Sequence, residues 1–432
     1  MSTFTSKRTA RIRFLFLLFA LLPLGIALGT AHAQSSDLLA FVNPSGQLIV
    51  TSADGYLRWI VTNPGEPLAG SLGFTWSPDG SRLFFGVDYG GTVSLRVGDA
   101  YAQSWQEIGQ VSSSATGGDW TANGSAILIA DQTTVTLFSS GGGIASQVNV
   151  GQPVSAISPG LNTRPYLSIE HSLAPDGSSA LVQTGGGEYL LVSFNGSVAN
   201  TGITNDRNAR GAGLWSDNAP LVAYWGYTGN SVLAAAYAPA GSGITADSGR
   251  AAPVTPVAWM QNSTLLLYRD VSPYIRAADL GCLPNCGDAF GSGVDALPSS
   301  AADTQTDNGQ IFFRDGSSIK ALSGNCVYAG SCLGSEQTLI GDADGVSGFD
   351  VRSGRLVYTS SSGTAVIHVD DCAGGGLCSP VLSLPYTRAG TLSPSGSYAT
   401  IDSNGSLGIL DFSTGAVFDL GQGIALDRAR WN

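Results

Sequence analysis

The sequence predicts an all-β protein, a single β-propeller of four-stranded antiparallel blades, from three observations. Short apolar runs separated by turn residues fill the chain. One turn motif recurs at a near-constant spacing. That spacing also closes on itself across the two termini.

The runs come first. "RLFFGVD" (82–88), "TVSLRVG" (92–98), "AILIADQ" (126–132), "TVTLFSS" (134–140), "LLLYRDV" (265–271) and "RLVYTSS" (355–361) are rich in β-branched and aromatic residues. Glycine, asparagine, aspartate, serine and proline separate them, with 58 glycines in the chain. This is strand punctuation. No helical period is visible after the first 33 residues.

The motif is clearest in "SLGFTWSPDGSRLFFG" (71–86). A strand ends at Trp76, Ser77-Pro78-Asp79-Gly80 turns the chain, and a second strand follows. Pro78 presets φ, Asp79 accepts from a nearby backbone N–H, and Gly80 tolerates positive φ, so the tetrapeptide reads as a tight A–B turn. The residues that end the strand before each such turn are Trp76, Trp120, Ala174, Trp215, Trp259, Gln305, Val351, Leu392 and Trp431. Successive spacings are 44, 54, 41, 44, 46, 46, 41 and 39 residues. The sequence thus predicts nine blades, with eight possible because the units near 174, 305 and 351 are degenerate. The 54-residue spacing predicts an insertion in Gly151–Leu167, ahead of the fourth unit. Five of the eight tryptophans share the anchor position, as packing between neighbouring blades requires. Trp59, Trp105 and Trp225 break that register and are freer to bind a ligand.

Closure is the third observation. Only Asn432 follows the last anchor, and "DLLAFVNPSGQLIVTSADGYLRWIVTN" (37–63) is a unit without its first strand. Counting from Trp431 through Asn432 and on from Gln34 to Trp76 again spans one period. The final strand is therefore expected to complete the first blade and remove the exposed sheet edges.

Two domain assignments follow: residues 1–33 as a cleaved signal peptide and 34–432 as the propeller. Lys7, Arg8, Arg11 and Arg13 precede the apolar "FLFLLFALLPLGIALG" (14–29) and the small-x-small "AHA" (31–33). The apolar run is shorter than the ~20 residues of a spanning helix, so no membrane insertion is expected after cleavage. The expected location is periplasmic or extracellular. The full chain carries a net charge of −12, and setting the basic leader aside makes the remainder more acidic still. Such a chain repels phosphate backbones, so nucleic acid is not an expected partner.

Six cysteines form three local pairs, Cys282/Cys286, Cys326/Cys332 and Cys372/Cys378, themselves about one period apart. In an exported chain they read as disulfides across C–D hairpins, on the same face as the A–B turns. No metal site and no cofactor is expected. "GDADGVSGFD" (341–350) has Asp342 and Asp344 but lacks the order of a calcium loop.

"FTWSPDGSRLFFG" (74–86) resembles the WD-like propeller repeat of the TolB type, widespread among exported bacterial proteins. The match is sharp there, fair at 118–129 and 172–183, and faint elsewhere. The resemblance implies a protein-binding propeller, without the α/β domain that precedes the TolB propeller. Related propellers precede a peptidase domain, but that domain needs G-x-S-x-G, which this chain lacks. His171 and His368 lie in separate units, and nothing marks a nucleophile beside them.

One pattern hints at binding. Strand B of units six and seven ends in "YRD" (Arg269, Asp270) and "FRD" (Arg314, Asp315). The D–A connections add Arg210 and Arg388, with Trp225 and Tyr227 in "YWGYTGNS" (224–231) supplying aromatic surface. Arginine gathered on one face of an acidic protein suits the carboxylates of a peptide or acidic glycan. The function expected is a non-catalytic propeller binding protein, peptide or envelope polymer on its B–C/D–A face. The alternative is a polysaccharide lyase or hydrolase with its site at the channel mouth.

Overall fold

The computed structural model describes residues 37–157, 173–204, 213–227, 231–237, 242–247, 255–283, 285, 289–372 and 376–432. The unit Asp37–Asn432 is compact in itself. It is a ring of nine four-stranded antiparallel blades, as the repeat predicts. Seven of them are separate sheets. The eight-stranded sheet is blades 4 and 5, joined by one backbone pairing, Thr204 with Tyr227.

Blade 1 is assembled from both chain ends: strand A is Ala429–Trp431, and strands B to D are Leu38–Val42, Leu48–Ser52 and Arg58–Ile60. The remaining eight blades run in chain order from Phe74–Ser112, Thr116–Asn149, Val154–Thr204 and Gly213–Asp247 to Thr255–Pro298, Ala302–Ile340, Gly348–Pro385 and Thr387–Gln422. Strand A of blade 1 pairs antiparallel with strand B in the register Leu39–Trp431, Ala40–Arg430, Phe41–Ala429.

The interior is nine separate cores, one at each seam between blades. Strand B of blade 2 sends Leu83, Phe85 and Val87 into the seam with blade 1 and Phe84 into the seam with blade 3. Strand B of blade 3 sends Ile127 and Ile129 back to blade 2, and Ala126, Leu128 and Ala130 forward to blade 4. Strand side chains alternate between the two faces of a sheet. Because both faces are buried, the strands read as continuous apolar runs rather than as alternating ones.

Four of the five anchor tryptophans add a polar tie to the preceding blade, whereas the buried Trp215 Nε1 makes no hydrogen bond among the described residues. The indole Nε1 of Trp76 donates to the Arg430 carbonyl at 2.9 Å, and that of Trp120 to the Thr75 carbonyl at 3.2 Å. Trp259 reaches Leu214 O at 3.0 Å and Trp431 reaches Thr391 O at 2.9 Å. In each case the acceptor lies one residue before the equivalent anchor of the previous blade. At the 7–8 and 8–9 seams, which lack the indole, the tie runs the other way. Gln305 of blade 7 donates to Phe349 O at 2.9 Å and accepts from Val351 N at 3.1 Å. Asp350 of blade 8 accepts from Leu392 N of blade 9 at 2.7 Å.

The Ser-Pro-Asp-Gly turn is a corner of the fold. Ser77 N donates to Arg82 O at 2.8 Å, Arg82 N donates to Ser77 Oγ at 2.9 Å, and Gly80 takes φ 68°. Blade 3 repeats the geometry with Thr121 and Ala126. At blade 1 the chain is broken, yet the same two bonds form between the ends: Asn432 N donates to Leu38 O, and Leu38 N donates to Asn432 Oδ1, both at 2.9 Å. The last residue of the chain thus stands in for Ser77. Blades 7 and 8 replace the longer turn by two-residue hairpins, Asn308-Gly309 and Ser353-Gly354, with positive φ throughout. That is the type I′ preference, and it explains why these units look degenerate.

Three sequence expectations need correction. Blade 7's anchor in register is Thr306, which pairs with Ile311 as Trp76 pairs with Leu83, so Gln305 stands one place before it. Blade 4's anchor in register is Leu173, because Ala174 makes the turn bond to Ser179 that Ser77 makes to Arg82. The insertion also lies within strand A of that blade, not before it. Val154–Ile157 pairs with 182–184, and Leu173 pairs with Ala180, so residues 158–172, outside the described residues, separate two halves of one strand.

Disulfides Cys326–Cys332 and Cys372–Cys378 follow strand C of blades 7 and 8, with Cα separations of 4.8 and 5.2 Å. Cys282 is disulfide-bonded as well, and Cys286 lies outside the described residues. Among the described residues no helix is long and apolar enough to cross a membrane.

Trp431 is buried at the closing seam, so Trp431→Ala is expected to cost about 3–5 kcal/mol. Removing 429–432 altogether is expected to abolish the cooperative unfolding transition, because two seams lose their shared strand. Thermal denaturation followed by circular dichroism checks both. A truncated chain that melts like the intact one contradicts the closure account.

Candidate functional site

The face carrying the A–B turns is occupied with itself. Adjacent turns bond around the rim. Ser395 of blade 9 bonds Asp37 of blade 1, and Asn432 Nδ2 donates to Gly80 O of blade 2 at 3.3 Å. Arg82 of blade 2 donates to Gly124 O at 2.5 Å and Ser140 Oγ at 2.7 Å of blade 3. Gln261 accepts from Asn308 N, Asp307 from Ser353 N and Gly354 N, and Pro394 O from Ser353 Oγ. Asp79 belongs to this rim too, its carboxyl held below the usual range by the Ser77 hydroxyl and Ser81, against the effect of burial.

On the opposite face the B–C turns lie beside the D–A connections, and the sequence-predicted residues land there unequally. Arg269 closes strand B of blade 6 and donates to Ser299 O at 2.8 Å and Ala301 O at 2.6 Å. It therefore caps carbonyls of the blade 6–7 connection. Asp270 accepts from Ser272 N at 2.6 Å and pairs with Arg276 at 3.1 Å. Arg314 pairs with Asp303 at 2.7 Å and donates to Gly316 O at 3.0 Å. Asp315 accepts from Lys320 Nζ and Ser300 Oγ, both at 2.7 Å, and these contacts lower its pKa. Trp225 is half-buried against the blade 5–6 core. The Tyr227 backbone pairs with Thr204, and Arg210 lies outside the described residues. Arg388 is exposed and makes no ion pair among the described residues.

A repeat position that sequence reading missed explains why Asp270 and Asp315 are engaged. Just past a bulge between strands C and D stands a cation in three blades: Arg96 opposite Glu107, Arg276 opposite Asp295, and Lys320 opposite Thr338. Each reaches an acid on the B–C/D–A face. Arg96 binds Glu66 at 3.1 Å and stacks toward Tyr89, whose hydroxyl also donates to Glu66 at 3.0 Å. Burial would raise the Glu66 pKa, but the Asn63 N–H, Arg96 and Tyr89 together hold it low. Glu107 is lowered by the Ser94 hydroxyl and Gln110. Both carboxyls of this cluster are thus ionised, whereas a glycosidase general acid needs a raised pKa. The carboxyl pushed strongly up, to about 7, is Asp350. It is buried in the blade 8–9 seam.

The tryptophans read as free are structural. Trp59 is buried in the blade 1–2 seam, and Trp105 packs edge-on to Phe85 with ring centroids 5.4 Å apart. His368 Nδ1 accepts from Arg355 at 2.7 Å beside Asp371, and His171 lies outside the described residues. Asp342 accepts from the Ser318 hydroxyl at 2.7 Å. No group of three or more candidate metal ligands occurs among the described residues.

Comparison with solved structures finds likenesses of low sequence identity. A eukaryotic initiation factor is similar over 91% of this chain and 98% of its own, at 12% identity and a TM-score of 0.54. BamB from Moraxella catarrhalis matches 74% of this chain and 92% of its own at 15% identity and TM-score 0.39. A 6-phosphogluconolactonase-like protein from Bacteroides fragilis matches 93% and 100% at 13% identity and TM-score 0.37. At 12% identity the likeness to the initiation factor is one of fold alone. No protein-family model and no curated protein matches the chain.

Asp350 supplies a test of the seam. Burial in the fold lifts its pKa from an unfolded value near 3.8 to about 7, opposed by the Leu392 and Val351 N–H groups and Arg352 and assisted by Asp307. The folded state therefore binds this proton more tightly, and the stability it contributes falls as pH rises through about 7. Asp350→Asn keeps an acceptor for Leu392 N and removes the charge. It is expected to stabilise the protein at pH 8 by on the order of 1–4 kcal/mol, a pKa unit being worth ~1.4 kcal/mol, with little change at pH 4. Melting temperatures at the two pH values decide the matter, and an equal shift at both refutes the assignment.

Proposed function

We propose that this chain is an exported, non-catalytic propeller of the WD-like, TolB-type kind, binding a protein, peptide or envelope polymer on its B–C/D–A face. The observation that carries the reading is the division of labour between the two faces. The A–B turns spend their polar groups on one another around the rim. The B–C/D–A face retains side chains that the ring does not use, Arg388 and the 86%-exposed Tyr386 foremost. Export is supported by the composition of the leader and by the disulfides, which persist in oxidising compartments. The ionised state of Glu66 and Glu107 favours binding over acid-catalysed hydrolysis.

The test is masking one face at a time. Ser361→Cys places a label on the B–C turn of blade 8, and Ala122→Cys places one on the A–B turn of blade 3. A bulky maleimide at Ser361→Cys is expected to reduce capture of partners from an envelope fraction at least tenfold, and one at Ala122→Cys to leave it unchanged. The reverse pattern, or hydrolysis of an envelope polymer by the purified protein, defeats the reading.

A further inference from the structure

Blades 8 and 9 are connected by a single residue. Strand D of blade 8 ends at Pro385, strand A of blade 9 begins at Thr387, and Tyr386 alone makes the crossing. It does so with φ 59°, the left-handed region that a bulky side chain rarely enters. Glycine would take this position without strain. Tyrosine gains no burial there in return, since the residue is 86% exposed, and its hydroxyl has no hydrogen bond among the described residues. The backbone is fixed by Tyr386 N donating to Ser362 O at 3.3 Å, so the ring is projected from a short, rigid corner. A strained, exposed aromatic is unexplained by stability and points to recognition.

Its surroundings narrow the ligand. Arg388 follows two residues on, within about 7 Å along the backbone. It is exposed and carries no hydrogen bond or ion pair among the described residues, although Asp402 faces it across the strand pair. The hydroxyls of the adjoining B–C turn are engaged in the fold, Ser360 with Ser362 and Gly363 O and Ser361 with Asp344 O, which leaves the ring and the guanidinium as the groups turned outward. Among the described residues, the exposed large apolar side chains of this face are two tyrosines, Tyr89 and Tyr386, and Tyr89 is tied to Glu66 and Arg96. The exposed aliphatic side chains lie on strands D and the C–D loops instead. A protein interface wants a desolvated apolar centre, which this corner lacks. One flat ring and one guanidinium suit a sugar ring bearing a carboxylate: the ring face stacks, and the guanidinium grips the carboxylate in a bidentate pair.

Resting on the proposed binding face, we infer that Tyr386 and Arg388 form a subsite for an acidic, uronate-type polysaccharide. The protein's own negative charge opposes non-specific attraction to a polyanion, so retention would report a local site. The experiment is affinity electrophoresis through polygalacturonate, with neutral pullulan as control. The wild type is expected to be retarded by polygalacturonate alone. Tyr386→Gly and Arg388→Gln are each expected to weaken the interaction at least tenfold. Tyr386→Gly should melt at or above the wild-type temperature, because it relieves the strained φ; this separates lost binding from lost folding. Absence of wild-type retardation, or retardation that survives both substitutions, overturns the subsite. If the label at Ser361→Cys still blocks capture of a protein partner, the binding face stands and only the ligand class fails. If that label has no effect while the electrophoresis succeeds, the subsite stands and the wider face fails.

Discussion

Each blade of this ring buries both faces, and that constraint governs everything else. An isolated four-stranded sheet with Leu83, Phe85 and Val87 on one side and Phe84 on the other would expose an apolar surface to water whichever way it turned. Only neighbours on both sides satisfy it, and only a closed ring gives every blade two neighbours. Closure by Ala429–Trp431 therefore completes two seams at once, those of blade 1 with blades 9 and 2. The hydrogen bonds between Asn432 and Leu38 add little energy of their own at about 1 kcal/mol each. They fix the register in which the buried residues meet.

The polar ties at the seams show how the repeat tolerates change. In blades 1, 2, 3 and 6 a tryptophan reaches backward to a carbonyl. At the 7–8 seam Gln305 supplies donor and acceptor together, and at the 8–9 seam a carboxylate receives the Leu392 N–H. Backbone groups of the inner strands would be left without partners in these dry seams, and such groups are costly. At these six seams a backbone group is satisfied by whatever side chain stands nearby, while at the 4–5 seam the Trp215 Nε1 makes no hydrogen bond among the described residues. Asp350 meets that need at the expense of burying a carboxyl, which is why its proton affinity rises.

Architecture was legible in the sequence because its determinants are large, apolar and periodic. Tryptophan at a fixed spacing, turn tetrapeptides and paired cysteines announce themselves, and the missing first strand was visible as a gap. The register of blade 4 slipped by one because Pro175-Asp176-Gly177 follows an alanine where blades 2, 3, 5 and 9 carry serine or threonine. The engagement of Arg269 and Arg314 was illegible for a different reason. Their acceptors are backbone carbonyls and an aspartate eleven residues away, and a carbonyl has no sequence signature. Trp59 and Trp105 misled because a propeller has inward positions outside the anchor register. Tyr386 left a trace, since "LSLPYTRAGTL" (382–392) runs two strands together without a turn signal, but only the backbone angle gives that trace meaning.

The same logic bears on which surface is free to evolve. A side chain on the A–B rim touches the next blade, so changing it perturbs a seam. The C–D loops of blades 7 and 8 are stapled covalently. The B–C and D–A segments carry ties of their own in places, Arg269 on the blade 6–7 connection, Arg314 on Asp303 and Ser112 on Asp131, and elsewhere acids that neutralise a cation past a C–D bulge, as in blades 2, 6 and 7. Blade 9 has Gly408 opposite Asp419 just past the corresponding bulge, and so places no cation there. Arg388 and Tyr386 accordingly sit at the 8–9 corner without structural duties beyond the strand ladder and one backbone bond. Freedom from the ring's internal demands, more than any concentration of charge, is what marks that corner as the place where a ligand can be met.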